Sequence, residues 1–115
     1  DCGSMNNSRK DVVQLAIHYM KENLNKKIRL TDIAREVKLS ASYFSNLFEE
    51  KTGSSPLRYL NYLRIQEACH YLDFTDMKIS QISPLVGYED SLYFSRLFTK
   101  TMGIPPSEYK AKKKG

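Results

Sequence analysis

One stretch of this chain occurs twice. The segment YFSNLFEEKTGSSPLRY at 43–59 returns fifty positions later as YFSRLFTKTMGIPPSEY at 93–109. The aromatic and leucine positions, one glycine and one proline are kept, whereas several polar positions differ. The 115 residues amount to about one domain, so the repeat predicts two copies of one small helical unit. Such a chain suits a partner whose surface also repeats, and duplex DNA repeats every helical turn.

Each copy predicts a short helix, a tight connection and a longer helix. In the first copy Thr31 should cap the short helix, and Ser40 should cap the longer one, which ends at Gly53. An earlier helix, capped by Ser8 and running to about Asn23, should precede this pair. Two helices joined by three or four residues form the helix-turn-helix pattern.

A longer helix should connect the two copies. It is expected to begin at Pro56 and to end at about Leu72. Its inward-facing residues are expected to be Leu57, Leu60, Ile65, Ala68, Cys69 and Leu72. Since no segment alternates with period two, no sheet is expected, and the predicted fold class is all-α.

The second copy is not perfectly in register with the first. Residues before the tight connection match at an offset of 49 and those after it at 50, which places one extra residue near 87–89. By the repeat, Ser80 is the N-cap and Pro84 the fourth helical residue, so a distorted or late-starting short helix is expected. The chain should close with a short helix that starts near Pro105 or Pro106.

The predicted organisation has five parts. Residues 1–5, DCGSM, are typical of a cloning remnant, which would make the chain a fragment of a longer protein. The first helix-turn-helix subdomain covers 6–54, the connecting helix 55–74 and the second subdomain 75–110. A basic tail follows at 111–115.

Composition limits the classes of function. The net charge of +5 and the pI of about 9.2 suit a polyanionic partner. Cys2 and Cys69 have neither metal-ligand nor disulfide spacing, and Cys69 is expected in the core. His18 and His70 are isolated, and no catalytic constellation is found, so no enzymatic activity, metal or cofactor is expected. No apolar run is long enough to span a membrane and no signal peptide is visible, which favours the cytoplasm.

The outward faces of the two longer helices hold the candidate reading residues. Arg96 can donate two hydrogen bonds to guanine, and Asn46 can pair in the same way with adenine. The outward-pointing Leu92 suits a thymine methyl group or a neighbouring helix. The difference between the two faces fits two half-sites, and it also fits ordinary surface drift. The candidates for base contacts are Ser42, Ser45, Asn46, Ser91, Leu92, Ser95 and Arg96.

Hydroxyl residues at helix starts are candidates for contacts to phosphate. Thr31, Ser40 and Ser80 stand where backbone N–H groups can meet phosphates, although ordinary capping explains the same residues. Asp90 stands at the matching place before the last long helix. Its charge would repel a phosphate, so we expect it to act as a cap alone.

Three segments carry a resemblance to a known family. VGYEDSLYFSRLFTKTMGIPPSEY closely fits the family signature, and LTDIAREVKLSASYFSNLFEEKTGSSPLRYL and LRIQEACHYL fit as well. The chain from about Val12 to Tyr109 resembles the C-terminal DNA-binding domain of AraC/XylS-family bacterial transcription regulators. The resemblance implies seven helices in two helix-turn-helix subdomains joined by a long helix, with the two recognition helices in adjacent major grooves.

The resemblance also implies roles and partners. It assigns base reading to the outward residues named above, and it makes Thr31, Ser40, Asn61 and Arg64 candidates for phosphate or supporting contacts. The expected partner is double-stranded DNA, bound sequence-specifically by a cytoplasmic regulator of the activator type. RNA polymerase and an N-terminal sensor, receiver or dimerisation domain are further implied partners.

This chain departs from the family pattern at several positions. Lys38 stands where a glycine is common, and a left-handed conformation there would cost about 1 kcal/mol. Glu49 and Glu50 replace residues that are often basic, so the first recognition helix is expected to bind DNA more weakly than the second. Ser83 replaces an alanine and is expected to hydrogen-bond to the backbone.

Two other classes of function compete with this interpretation. A helical protein-interaction module would need an apolar outer patch, which the polar Ser42, Ser45 and Asn46 do not provide. The DNA-binding part of an alkyl-transfer repair enzyme would need reactive cysteines, which neither Cys2 nor the core residue Cys69 can supply.

Overall fold

The chain forms helices only, within the part that the structure describes. The structure is a computed structural model that describes the backbone of residues 2–114 and the side chains of residues 12–112. The helices are α1 (Cys2–Glu22), α2 (Leu30–Glu36), α3 (Ala41–Thr52), α4 (Pro56–Phe74), α5 (Ile79–Leu85), α6 (Ser91–Met102) and α7 (Pro106–Lys114). The predicted all-α class with seven helices is confirmed.

The helices divide into two compact units. The first contains the residues up to Asn23 together with Lys27–Asn61, and the second contains Leu24–Lys26 together with the chain from Tyr62 onward. The connecting helix α4 therefore contributes its first turns to one unit and the rest to the other. Each unit has its own apolar core, built around two phenylalanines of its longer helix: Phe44 and Phe48 in the first, Phe94 and Phe98 in the second.

The first helix begins earlier than predicted. Because α1 starts at Cys2, Ser8 lies inside the helix and is not its N-cap. No glycine or proline stands between Ser4 and the apolar face of the helix, so nothing in that segment stops the helix from extending toward the N-terminus. The predicted remnant at 1–5 lies almost entirely in this extension, and Asp1 lies outside the described residues.

One predicted core residue of the connecting helix is exposed. Leu57 has 45% of its surface in solvent, whereas the other predicted positions of α4 are buried. Pro56 and Leu60, four residues apart, take the inward face in this first turn of α4. Leu57 follows Pro56 by 100° around the helix and points outward.

The N-caps of the two short helices lie two residues before the predicted ones. Arg29 is the N-cap of α2, and its N–H donates to the Asp32 carboxylate at 2.9 Å. Lys78 is the N-cap of α5, and its N–H donates to Gln81 Oε1 at 2.9 Å. A side chain three residues ahead fixes each start, so the predictions that Thr31 and Ser80 act as caps are wrong.

Pro84 does not delay the short helix of the second copy. That helix has seven residues, as does its counterpart in the first copy. Pro84 is its sixth residue, near the C-terminal end, where the missing N–H removes one hydrogen bond of the helix. The Val86 N–H continues the pattern by donating to Ile82 at 3.2 Å and to Ser83 at 3.3 Å. The expected late start is therefore wrong.

Candidate nucleic-acid interface

The reading helix of the first unit, α3, is fixed at both ends. The Ser40 hydroxyl accepts a hydrogen bond from the Tyr43 N–H at 3.2 Å, which confirms Ser40 as the N-cap. Gly53 ends the helix in the left-handed conformation with φ of 79°, as predicted. The rings of Phe48 and Tyr59 meet edge-on, with their centres 5.4 Å apart. These contacts fix both ends and the buried face of α3 and leave its opposite face to solvent.

The reading helix of the second unit, α6, repeats this arrangement with a charged cap. Asp90 Oδ1 accepts from the Leu92 N–H at 2.9 Å and from the Tyr93 N–H at 3.4 Å, which confirms its predicted capping role. Phe98 contacts Tyr109 edge-on at 5.7 Å, as Phe48 contacts Tyr59 in the first unit. The repeated sequence therefore builds the same edge-on aromatic contact in both units.

The predicted base readers lie on the exposed side of these two helices. On α3, Ser42 and Asn46 are exposed and Ser45 is half-buried. On α6, Arg96 is exposed and Leu92 has 61% of its surface in solvent. Ser91 and Ser95 are half-buried on the same helix. Each helix thus brings its own set together, with donors and acceptors on α3 and an arginine and an apolar residue on α6.

Two exposed tyrosines on the reading helices were not predicted from the sequence. Tyr43 and Tyr93, at matching positions, are 48% and 53% exposed. Both tyrosines are kept in the repeat, and no contact with DNA was predicted for either. Tyr43 lies about one turn from Asn46, on the exposed side of α3.

The two reading helices differ in charge. Within α3, Glu49, Glu50 and Lys51 give a net charge of −1, from one lysine and two glutamates. Within α6, Arg96 and Lys100 give +2. Both glutamates are exposed, so their charges act on whatever approaches α3. The difference favours α6 as the stronger binder of a polyanion.

The turn before α6 is one residue longer than the turn before α3, as the change of offset predicted. The first turn has Lys38 at φ of 61°, and the second has Gly87 at φ of 91°. Between the C-cap of the short helix and the start of the longer one lie residues 38–40 in the first turn and 87–90 in the second. Lys38 is therefore in the left-handed conformation, which costs a lysine more than a glycine.

The candidates for phosphate contacts fall into two groups. Thr31, Ser40 and Ser80 are exposed, and Asn61 is half-buried. Arg64 has only 6% of its surface exposed, and its guanidinium donates to the carbonyl oxygens of Gly87 and Lys26 at 2.9 and 2.8 Å. Of the two roles that the resemblance leaves open for Arg64, this geometry favours support over phosphate contact.

An open groove of about 450 Å³ lies beside the first turn. Its lining residues are Thr31, Ala34, Arg35, Lys38, Leu39 and Ala41. Arg35 and Lys38 are both exposed, so the groove has a positive edge next to the start of α3. Thr31, which is not a helix cap, therefore lines the same groove as the cations Arg35 and Lys38.

The chemistry of the core offers no reactive group. Cys69 is 7% exposed and unpaired, and burial raises the pKa of its thiol, which keeps it protonated. Among residues whose side chains are described, no group of three or more His, Cys, Asp or Glu is placed to hold a metal ion. None of the helices within 2–114 has the length and apolar character needed to cross a membrane.

Comparison with known proteins agrees with this geometry. Residues 33–112 match a family model described as a helix-turn-helix domain. The chain is 39% identical over 92 residues to the MmsAB operon regulatory protein of Pseudomonas aeruginosa, covering 80% of this chain and 30% of that protein. It is 40% identical over 98 residues to the lactose operon transcription activator of Staphylococcus xylosus, covering 85% and 35%.

A solved structure gives the same result. An AraC-type transcriptional regulator from Chromobacterium violaceum superposes with a TM-score of 0.85 at 26% identity, covering 98% of this chain and 96% of the other. The chain belongs to the helix-turn-helix domain family matched above. Within it, the chain is a DNA-binding domain of the AraC/XylS type, as the sequence resemblance predicted.

The relatives also bear on the extent and class of the protein. They are transcription regulators rather than enzymes, in agreement with the expectation that this domain has no enzymatic activity. The chain spans about a third of the length of the curated relatives it matches, with 30% and 35% coverage of the two named above.

Proposed function

We propose that this domain binds double-stranded DNA sequence-specifically, with α3 and α6 in adjacent major grooves. The observation that carries the proposal is the contrast between the two faces of these helices. Their buried faces repeat the same phenylalanines, whereas their exposed faces present different chemistry, with Asn46 on one and Arg96 on the other. Two helices with the same buried phenylalanines and different exposed residues suit two different half-sites.

Each exposed residue has a role that its chemistry suits. Arg96 donates a bidentate pair to guanine, and Asn46 forms one with adenine. Leu92 contacts a thymine methyl group. The short side chains Ser42, Ser45, Ser91 and Ser95 let the helices sit deep in the groove and bond to bases or phosphates.

Phosphate contacts position the domain on the duplex. The Ser40 hydroxyl accepts from the Tyr43 N–H and still has its own proton to donate to a phosphate oxygen. Thr31, beside the cations Arg35 and Lys38, has the same chemistry, as does the exposed Ser80. Asn61 completes the proposed set, and Arg64 serves as a support.

The wider organisation of the protein follows from the same proposal. The parts 6–54 and 75–110 act as the two reading subdomains, joined by 55–74. The domain would act in the cytoplasm as part of a longer regulator whose N-terminal domain senses a ligand, receives a phosphoryl group or dimerises. RNA polymerase is a proposed partner of that whole protein.

Selection of binding sites from random duplexes tests the proposal. The purified 115-residue chain should enrich a bipartite motif whose two halves are separated by about 10 base pairs, one helical turn. Equal binding to all duplexes, with no motif enriched after several rounds, would show that the chain binds DNA through charge alone.

A further inference from the structure

Arg64 links two turns within the second unit. Its Nη1 donates to the carbonyl oxygen of Gly87 at 2.9 Å, and its Nη2 donates to that of Lys26 at 2.8 Å. Gly87 belongs to the turn before α6, and Lys26 belongs to the connection after α1 that packs in this unit. One planar guanidinium, with its fork of donors, thus holds both turns from α4.

The guanidinium of Arg64 occupies the space that a side chain at position 87 would need. A Cβ atom at Gly87 would collide with the Arg64 guanidinium and with the carbonyl oxygen of Leu24. The φ of 91° at Gly87 also disfavours any other residue. Glycine is therefore needed here for space as well as for conformation.

Direct contacts lead from Arg64 to the reading helix. The guanidinium carbon lies 5.4 Å from the centre of the Tyr88 ring. That ring packs against Tyr93 and Phe94 of α6 at 5.9 and 5.7 Å. A change at Arg64 therefore reaches the first turn of α6, where Ser91 and Leu92 stand.

The first reading helix is held in a different way. The left-handed position in its turn is Lys38, whose side chain is exposed. An enclosed glycine under an arginine and a solvent-facing lysine are not equivalent supports. Loss of Arg64 should therefore act on one reading helix and not on both.

We propose that Arg64 is a positioning residue that sets base discrimination by α6 without touching DNA. This inference rests on the proposed function, because it requires that α6 reads bases. Three features carry it: the burial of Arg64, the commitment of both terminal nitrogens to carbonyl groups, and the contact with Tyr88.

Two measurements separate positioning from a phosphate contact. A side chain that neutralises one phosphate contributes about 0.9 to the slope of log affinity against log salt. A positioning residue leaves that slope unchanged and alters the preference for bases. The base positions read by α6 are identified as those whose preference relaxes in Arg96→Ala, and those read by α3 as those that relax in Asn46→Ala.

The experiment compares Arg64→Met, Arg64→Lys and the control Arg58→Met, an exposed arginine on the same helix. Site selection and salt titration are carried out on each, with circular dichroism as a check of folding. Arg64→Met should lose about tenfold discrimination at the α6 positions, the worth of a misplaced bidentate pair. It should keep the α3 positions and the salt slope, and Arg64→Lys should restore discrimination in part. Arg58→Met should keep both preferences.

Three outcomes would overturn the inference: a salt slope smaller by about 0.9, equal losses at both half-sites, or no change at either. If the unmutated chain enriches no motif, the proposed function fails before this inference is reached. Should the Arg64 variants not fold, NMR of the unmutated chain supplies a second test. In the unmutated chain, the side-chain NMR signals of Arg96 should shift on addition of the selected duplex, while those of Arg64 stay in place. A shift of the Arg64 signals as large as that of Arg96 would also overturn the inference.

Discussion

Ser83 and Tyr88 are hydrogen-bonded to each other twice. The Ser83 hydroxyl donates to the Tyr88 carbonyl oxygen at 2.6 Å, and the Tyr88 N–H donates to the Ser83 carbonyl oxygen at 2.9 Å. Both residues are buried, and the pair closes the longer turn before α6. The hydrogen bond to the backbone predicted for Ser83 is confirmed, and its partner explains why a serine suits this position.

Ser83→Ala should destabilise the domain by about 1–3 kcal/mol, because the buried Tyr88 carbonyl loses the partner donated by the side chain. Urea denaturation measures the change in the free energy of unfolding. The control is Ser80→Ala on the same short helix, where the side chain is exposed and the expected change is within about 0.5 kcal/mol. Equal effects of the two substitutions would contradict the role given to the Ser83 hydrogen bond.

Lys38→Gly should stabilise the domain by about 1 kcal/mol, because glycine adopts the left-handed conformation observed at φ of 61° without steric cost. Lys38→Ala is the matched control, since it removes the charged side chain and keeps the Cβ atom. The alanine variant should be no more stable than the unmutated chain in urea. If both variants gain stability alike, the lysine charge, and not the backbone, is the cause.

Replacing Glu49 by Thr and Glu50 by Lys, the residues at the matching places of α6, should strengthen DNA binding by about 1 kcal/mol at low salt. The change removes two negative charges and adds a positive one at exposed positions of the proposed reading helix α3. The gain should shrink as salt is raised. Glu22→Gln on α1, outside the proposed interface, should leave affinity unchanged in the same fluorescence-anisotropy titration. An equal gain from Glu22→Gln would indicate that overall charge is responsible and that the position on α3 does not matter.

Stability should fall as pH rises from 10 toward 12, in part through Tyr109. Burial, together with the hydrogen bond that its hydroxyl donates to Asp73 at 3.0 Å, raises the pKa of Tyr109 to about 12. Because the folded state favours the protonated phenol, this contribution is complete below the unfolded pKa of about 10 and disappears as pH passes through the folded value. Urea denaturation from pH 9 to 12 should show a shallower loss in Tyr109→Phe than in the unmutated chain. If the free energy of unfolding falls equally with pH in both chains, Tyr109 does not contribute to the loss.

The repeat allowed most of the fold to be predicted. It placed both reading helices, the cap residues Ser40 and Asp90, and the extra residue of the second turn, because these depend on periodicity and on side chains next to the helix ends. Apart from Leu57, which is exposed, the errors concern the starts of helices. At Thr31 and Ser80 a hydroxyl suggested a cap, but Asp32 and Gln81 fix the start earlier by accepting from the preceding backbone. Periodicity alone does not distinguish these two solutions.

The candidate site was less accessible to sequence reasoning. Helical periodicity correctly placed Asn46 and Arg96 on exposed faces, because the phenylalanines define the buried stripe. The buried position of Arg64 could not be deduced, since its partners Lys26 and Gly87 are distant in sequence and accept through backbone carbonyl groups, which carry no sequence signal. No role was predicted for the exposed Tyr43 and Tyr93, because identity in both copies does not distinguish a packed side chain from an exposed one.

The central claim is that α3 and α6 read different bases, and selection from random duplexes with two variants tests it most directly. Arg96→Ala should weaken binding to the selected site by about 1–3 kcal/mol and relax the preference at one base pair. Asn46→Ala should relax a different base pair, about one helical turn away. Arg96→Ala should leave the half-site read by α3 unchanged, and Asn46→Ala should leave the half-site read by α6 unchanged. Relaxation of the same positions by both variants, or an unchanged motif in both, would contradict the claim.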